Sequence, residues 1–174
     1  PTIYGKKTGI KNENKFNFFD GKIQGKIAIR GNTTRTPNEY GPVSTRYEDG
    51  ITTVQLGIVK GYEARIDWIY YSKLEEAIRN AKARETVTIE KDINVLETVK
   101  IHEEKNITLD LNGHELTDST KKMIIENRGN LRIVDNSAKK NGRIYTDCSK
   151  NLIENNSYLE IDVGVLETYG DDFT

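Results

Sequence analysis

The sequence contains few of the residues that mark several protein classes. It has one cysteine, Cys148, three prolines and one tryptophan among 174 residues. A single cysteine excludes an internal disulfide framework, and no apolar run approaches the ~18 residues of a membrane-spanning helix. The net charge is −1, and charged residues of both signs make up 30% of the chain. We therefore expect a soluble globular protein with no membrane insertion and no nucleic-acid partner.

The chain begins at Pro1, without an initiator methionine or a charged-then-apolar leader. Such a start is expected of a mature piece or an excised part of a larger protein. The lack of an export signal in this stretch therefore does not argue against export.

A short alternating pattern recurs along the C-terminal half. Four segments read polar-apolar-polar-apolar, at residues 86–89, 106–109, 130–133 and 158–161. Strict alternation over four residues predicts a half-buried strand. A repeat of about 20 to 28 residues is the length of one solenoid rung.

Glycine and asparagine recur in the same phase as these strands. After each of the last three segments comes a glycine followed closely by an apolar residue. Before the third and fourth segments comes an apolar pair and then an asparagine. Each rung thus supplies three short strands, with corners that need the positive φ that glycine and asparagine tolerate. An antiparallel meander would show two-residue turns instead. The predicted fold is all-β, a right-handed parallel β-helix, with these corner or ladder residues: Asn12, Asn112, Asn127, Asn155, Gly21, Gly113, Gly142 and Gly164.

The N-terminus carries the same signature at the same intervals. Residues 10–12, 16–18 and 21–23 match residues 153–155, 159–161 and 164–166. We therefore predict three domains: terminal rungs of one β-helix module at 1–31, a loop and hairpin joint at 32–61, and a second module at 62–174. The hairpin strands are expected at 43–47 and 51–56.

The second module is predicted to open with a strand and a capping helix. The strand is expected at 64–71, where Ile66, Trp68 and Tyr70 alternate. The helix is expected at about 72–83, where Ser72 and Glu75 form a capping box. Its apolar side would cover the open end of the solenoid.

Several of these segments resemble a known family. They are residues 70–78, 86–93, 106–114 and 125–131, with 107–114 the most specific, and residues 16–25 for the preceding module. The chain resembles the pectate-lyase-like right-handed β-helix repeat modules of large exported or cell-surface proteins from Gram-positive, clostridial-type bacteria. The resemblance implies an extracellular or surface location and a structural or adhesive role, and it implies no particular ligand.

No set of residues converges into a predicted active site. The outward row beside the first strands is expected to be Glu90, Asp110, Val134 and Asp162, and the valine interrupts it. The pair Glu103–Glu104 and the carboxylates at 171–172 are expected at solvated turns. His102, His114 and Cys148 lack partners at the spacing of a metal site or a nucleophile. We predict no catalytic residues, no metal and no cofactor.

Aromatic residues cluster near the predicted joint. Tyr62, Trp68, Tyr70 and Tyr71 are candidates for ligand binding, because exposed aromatic rings stack on sugars or anchor interfaces. The alternative is that Trp68 and Tyr70, which alternate beside the capping helix, pack to fill the joint. The leading hypothesis is a non-catalytic structural or adhesive module. The alternatives are a polysaccharide lyase or glycosidase fragment, and a glycan-binding module that uses these aromatics. Expected partners are a host or cell-wall glycan or protein, and a second copy joined head to tail through the solenoid ends.

Overall fold

The structure is a computed structural model of the chain. It describes residues 1–14, 21–31, 43–56, 61–118, 123–146, 151–162 and 165–168. Residues 16–18 of the matched N-terminal segment, Cys148, Gly164 and the carboxylates at 171–172 lie outside these ranges. By contacts the chain forms two compact units: unit 1 is Pro1–Tyr62 with Trp68–Ser72, and unit 2 is Glu63–Asp67 with Lys73–Thr174. The hairpin at 43–56 thus groups with residues 1–31. The domain boundaries at 31 and 61 remain predictions.

Unit 2 contains three stacks of parallel strands. The first stack is β7 (Thr86–Ile89), β10 (Asn106–Asp110), β13 (Asn130–Val134) and β16 (Tyr158–Asp162). The second is β8 (Ile93–Val95), β11 (Glu115–Asp118), β14 (Arg143–Thr146) and β17 (Val165–Thr168). The third is β9 (Val99–Ile101), β12 (Ile125–Asn127) and β15 (Ile153–Asn155). The fold-class prediction is confirmed, because the stacked parallel sheets form a β-solenoid of about 5 turns.

The register of the stacks follows the sequence repeat. Leu131 pairs with Ile107 on one side and with Leu159 on the other. Ile107 and Leu131 are almost fully buried, so equivalent apolar side chains stack along the interior. Each such side chain contributes about 1.5–3 kcal/mol by burial.

The first rung departs from the predicted alignment. Thr86 pairs with Thr108 rather than with Asn106, so the register differs by two residues from the one expected. A shift of two keeps every side chain on its own face. Val87 and Ile89 therefore stay in the core, and both are fully buried.

Helix α1 (Leu74–Asn80) is shorter than predicted, and the predicted capping box is wrong. Lys73 occupies the N-cap position without a side-chain cap. Instead, the Glu63 carboxylate accepts a hydrogen bond from the Leu74 amide at 2.9 Å. The apolar side of α1 buries Leu74, Ala77 and Ile78, and the helix contacts β5 (Ala64–Ile66), β7 and β9.

The C-terminal end of α1 is held by a lysine from the solenoid. Lys105 Nζ donates to the carbonyls of Arg79, at 2.7 Å, and Ala81, at 2.9 Å. A cation at a helix C-terminus satisfies orphan carbonyls and opposes the helix dipole. The helix is thereby fixed to the turn that joins the first and second rungs.

Unit 1 begins with two long parallel strands, β1 (Thr2–Asn12) and β2 (Lys22–Gly31). The predicted hairpin is confirmed as β3 (Val43–Glu48) and β4 (Ile51–Leu56), and β4 pairs antiparallel with β2. Asp49 and Gly50 both have positive φ, which the tight hairpin turn requires.

The predicted single strand at 64–71 is wrong. It is split into β5, in unit 2, and β6 (Ile69–Tyr71), in unit 1, where β6 pairs parallel with β3. Asp67 has a φ of 51°, a left-handed conformation that interrupts an extended chain. Among the described residues no helix has the length and apolarity that crossing a membrane requires.

Candidate functional site

The corner between the first and second sheets of unit 2 is built on Asp110. This side chain is buried, and its Oδ1 accepts from the backbone amides of Asn112 and Asn136, both at 3.0 Å. Its Oδ2 accepts from Asn136 Nδ2 at 3.1 Å. Both oxygens of the Asp110 carboxylate are therefore used to join the second rung to the third.

A second buried carboxylate, Asp135, completes the same corner from the third rung. It is 2% exposed. Its Oδ1 accepts from the amides of Gly113, at 2.9 Å, and Ser137, at 3.0 Å, and its Oδ2 accepts from the amide of Gly142 at 2.6 Å. Burial raises the pKa of Asp135, but the hydrogen bonds from Ser137, Gly142 and Gly113 outweigh it and hold that pKa below its ordinary value.

Sequence reasoning missed Asp135. The available signal was the Asp-Asn-Ser run directly after β13, a sequence typical of side chains that bond to nearby backbone amides. The two carboxylates are reciprocal, because Asp110 reaches forward to the third rung and Asp135 reaches back to the second. We call these two residues the carboxylate corner.

The predicted corner residues beside it have two different physical explanations. Asn112 and Gly113 have φ of 50° and 81°, as the corner hypothesis requires. Asn112 Nδ2 also donates to the carbonyl of Ile89 at 3.1 Å, in the first rung. Gly142 does not have positive φ. A Cβ there would lie 2.8 Å from both Leu111 Cβ and Asp135 Oδ2, so close approach explains this glycine.

The corner between the third and first sheets is built on Asn127, which is fully buried. Asn127 Nδ2 donates to Asn155 Oδ1 at 2.8 Å and to the Tyr158 carbonyl at 2.9 Å. Its Oδ1 accepts from the Gly129 amide at 3.1 Å. Neither Asn127 nor Asn155 has positive φ, so hydrogen bonding, and not backbone conformation, explains this asparagine position.

Asn12 in unit 1 makes the same turn as Asn155 in unit 2. Asn12 Nδ2 donates to the Asn14 carbonyl at 2.6 Å, and Asn155 Nδ2 donates to the Ser157 carbonyl at 2.8 Å. Each Asn Oδ1 faces the amide two residues ahead, at 3.4 Å. Gly21, with φ of 95°, lies at the start of β2. The side-chain turn therefore repeats at the asparagine that the two matching sequences share.

The predicted outward row is wrong at its first member, Glu90, and two further members, Asp110 and Val134, are buried. The register pairs Thr88, and not Glu90, with Asp110. Glu90 instead forms an ion pair with Arg65, with Nε and Oε1 2.5 Å apart. The error follows from the two-residue register difference of the first rung.

The remaining titratable candidates lie apart from one another. His114 Nδ1 is 3.1 Å from Asp92 Oδ1. A backbone hydrogen bond from Glu115 is the main reason that the pKa of Asp92 lies below its ordinary value, with His114 adding to the effect. His102 and the pair Glu103–Glu104 lie in an exposed turn. No cluster of three or more potential metal ligands occurs in the described part of the chain.

The four aromatic candidates belong to unit 1 and differ in exposure. Tyr71 is 5% exposed and its ring contacts that of Tyr47, with centroids 5.4 Å apart, so its ring faces are not open to a ligand. Tyr62 and Tyr70 are half-buried and meet edge to face at 6.4 Å. Trp68 lies in a turn and is 57% exposed. Of the four, Trp68 presents the most open ring.

A groove that sequence reasoning did not single out crosses the outer face of the first sheet of unit 2. Its cavity volume is about 320 Å³, and its polar lining comes from Arg84, Asn106, Thr108, Asn130, Arg132, Tyr158 and Glu160. These residues form rows across the strands, because Asn130 pairs with Asn106 and with Tyr158. We call it the strand-face groove. The signal was present in the outward positions of the repeated strands.

The electrostatics of the strand-face groove are nearly balanced. Arg132 Nε is 3.0 Å from Glu160 Oε1, and its Nη2 is 3.6 Å from Asp162 Oδ2. The Tyr158 hydroxyl donates to Glu160 Oε2 at 3.2 Å, and Tyr158 is 58% exposed. The groove therefore offers an aromatic ring beside amide and guanidinium donors.

Comparison of the chain with protein-family models, with curated proteins and with solved structures finds no match.

Proposed function

We propose that the chain is a non-catalytic structural and adhesive β-helix module of a secreted or surface-anchored bacterial protein. The observation that carries the proposal is the carboxylate corner. Asp110 and Asp135 are buried acidic groups whose four oxygens all accept hydrogen bonds, and three of these oxygens join the second rung to the third.

General acid or base catalysis requires a carboxyl group within hydrogen-bond reach of the substrate. A carboxylate whose two oxygens already accept hydrogen bonds from the protein, and which is closed off from solvent, lacks that reach and serves stability instead. The corner thus supports a molecule whose acidic residues build a scaffold. The pectate-lyase-like character and the Gram-positive, extracellular origin are parts of the proposal that rest on the sequence resemblance.

Polysaccharide turnover tests the non-catalytic role. The purified chain is incubated with acidic and neutral polysaccharides, and new reducing ends and unsaturated products are measured. We expect neither above background. Turnover that disappears in Asp110→Asn, or in Glu160→Gln, while the circular dichroism spectrum stays unchanged would show that the chain is an enzyme.

The strand-face groove favours glycan binding as a second function. Tyr158 presents an open ring beside the Asn130 amide and the Arg132 guanidinium, a combination suited to stacking on a sugar ring and bonding its hydroxyls. A glycan array with the wild type, Tyr158→Ala and Trp68→Ala separates the sites. Loss of binding only in Tyr158→Ala supports the groove, loss only in Trp68→Ala supports the aromatic residues of unit 1, and no binding by the wild type rejects the second function.

A further inference from the structure

The three backbone amides that donate to Asp135 share a feature of sequence, because each of them follows an asparagine. The three pairs are Asn112–Gly113, Asn136–Ser137 and Asn141–Gly142. The amides of the second residues lie 2.9, 3.0 and 2.6 Å, in that order, from the carboxylate oxygens of Asp135. The Asn-Gly sequence occurs nowhere else in the chain. One buried carboxylate therefore holds the glycine amide of both Asn-Gly sequences.

An asparagine in such a pair is chemically labile, because the amide nitrogen that follows it can attack its side chain. The nitrogen bonds to Cγ of the asparagine, the Cγ–Nδ2 bond breaks, and Nδ2 leaves as ammonia with the amide proton. Water then opens the succinimide ring and leaves either aspartate or isoaspartate. Glycine has no Cβ and serine has a small side chain, so neither obstructs the attack. These three pairs are therefore the expected modification sites of the corner.

We propose that Asn112, Asn136 and Asn141 are latent deamidation sites and that Asp135 keeps them unmodified in the folded protein. The attack requires the amide to lose its proton, and a carboxylate beside the nitrogen opposes the negative charge that results. The amide must also break a charge-assisted hydrogen bond before it can move to Cγ. The carboxylate corner thus protects the chain chemically, in addition to joining its rungs.

The side chains of two of these asparagines are held as well. Asn112 Nδ2 donates to the Ile89 carbonyl at 3.1 Å, and Asn136 Nδ2 donates to Asp110 Oδ2 at 3.1 Å. Asn141 is an exposed residue, so water reaches it directly. We therefore expect Asn141 to depend most on the hydrogen bond made by its following amide, and to be the first site to convert.

Conversion at one site weakens the hold on the others. Conversion of Asn136 would remove the donor to Asp110 Oδ2 and place a second carboxylate against it, and like charges in a buried corner oppose each other. Conversion of Asn112 would remove the donor to the Ile89 carbonyl. The damage should therefore spread from the first site through the corner. The inference does not depend on the proposed function, since an enzyme or a scaffold with this corner would age in the same way.

Peptide mapping by mass spectrometry after incubation at neutral pH tests the proposal. The fraction of aspartate plus isoaspartate is followed at each site, and wild type unfolded in urea supplies the unprotected rates. We expect each site in folded wild type to convert at least about tenfold more slowly than in urea, because folding adds a hydrogen bond to a charged group. Asp135→Ala should raise all three rates toward the unprotected values.

Asp135→Asn gives the sharper test. Its oxygen can still accept two of the three amides, whereas its NH₂ group faces the Gly142 amide. We expect the rate at Asn141 to rise about tenfold and the rates at the other two sites to stay near those of wild type. Ile125→Ala is the matched control. Ile125 is fully buried on β12, in the third stack, whereas the corner lies between the first and second sheets. Its truncation destabilises unit 2 and should raise all three rates together through unfolding.

The pattern across the sites decides the outcome. Asp135→Ala with unchanged rates would show that the carboxylate does not protect, and lowered rates would show that it acts as the base of the reaction. Asp135→Asn with the same pattern as Ile125→Ala would show that unfolding alone controls conversion. Equal rates in folded and unfolded wild type would remove the protection itself. Each of these results would overturn the proposal. If Asp135→Ala does not fold, the pattern of Asp135→Asn decides by itself.

Discussion

Replacing Asp135 with asparagine tests the carboxylate corner with almost no change in side-chain volume. One amide oxygen can still accept from Gly113 and Ser137, but the new NH₂ group faces the Gly142 amide, which lies 2.6 Å from Oδ2. The substitution thus removes a charge-assisted hydrogen bond and leaves a buried N–H without an acceptor. These losses predict a decrease of about 2–4 kcal/mol in the free energy of unfolding at neutral pH.

The pH dependence of the stability difference separates loss of the Asp135 charge from cavity formation or misfolding, because neither of these would reproduce the expected direction of the pH effect. The pKa of Asp135 is held below its ordinary value in the folded protein, whereas an unfolded aspartate titrates near about 3.9. Its stabilising contribution is therefore complete above the unfolded pKa and is lost as the pH falls through the folded one. The difference between wild type and Asp135→Asn should be largest at neutral pH and shrink below about pH 4.

Urea denaturation followed by circular dichroism measures the loss, and hydrogen exchange of the peptide that contains Gly113 locates it. Asp92→Asn is the matched control. Asp92 also accepts a backbone amide hydrogen bond, from Glu115 at 3.1 Å, but its side chain is 70% exposed. We expect the control to change stability by no more than about 0.5 kcal/mol. Equal effects of the two substitutions, or an Asp135→Asn effect independent of pH, would refute the role assigned to the corner.

Three further substitutions probe other parts of unit 2. Lys105→Met removes both hydrogen bonds to the last carbonyls of α1 and should cost about 1–2 kcal/mol, with faster hydrogen exchange in the helix. Lys100→Met, an exposed lysine on β9, should have no comparable effect, and faster exchange there too would count against the cap. Gly142→Ala places a methyl group 2.8 Å from Leu111 Cβ and should destabilise by about 1–3 kcal/mol in urea titrations, so a neutral result would mean that the corner yields easily. Leu131→Ala opens a cavity in the stacked core and should cost about 2–5 kcal/mol by the same measurement, whereas a loss under about 1 kcal/mol would contradict tight packing.

The solenoid could be predicted because its repeat is carried by inward side chains and by corner residues together. Leu116, Ile144 and Leu166 share one register row, as their position after each corner indicated. Burial imposes a period of two on each strand, and the corners fix where one strand ends. Both constraints are local, so one sequence is enough to detect them.

The parts that were missed depend on contacts between distant residues. Ser72 and Glu75 have the spacing of a capping box, yet Glu63 supplies the carboxylate from the preceding segment. The two-residue register shift of the first rung keeps the same faces, so alternation alone cannot detect it. In the sequence, Asp135 looks like an ordinary turn residue. Its role depends on the Gly113 amide, which only the fold brings to it.

The reciprocal bonds of the carboxylate corner also bear on the order in which the chain acquires structure. The Gly113 amide finds its acceptor 22 residues later in the sequence, and Asp110 finds the Asn136 amide 26 residues later. During synthesis the N-terminal residues emerge first. The second rung therefore stays incomplete until the third has followed it. Each new rung then finishes the one before, so structure in unit 2 should accumulate in one direction, starting beside α1.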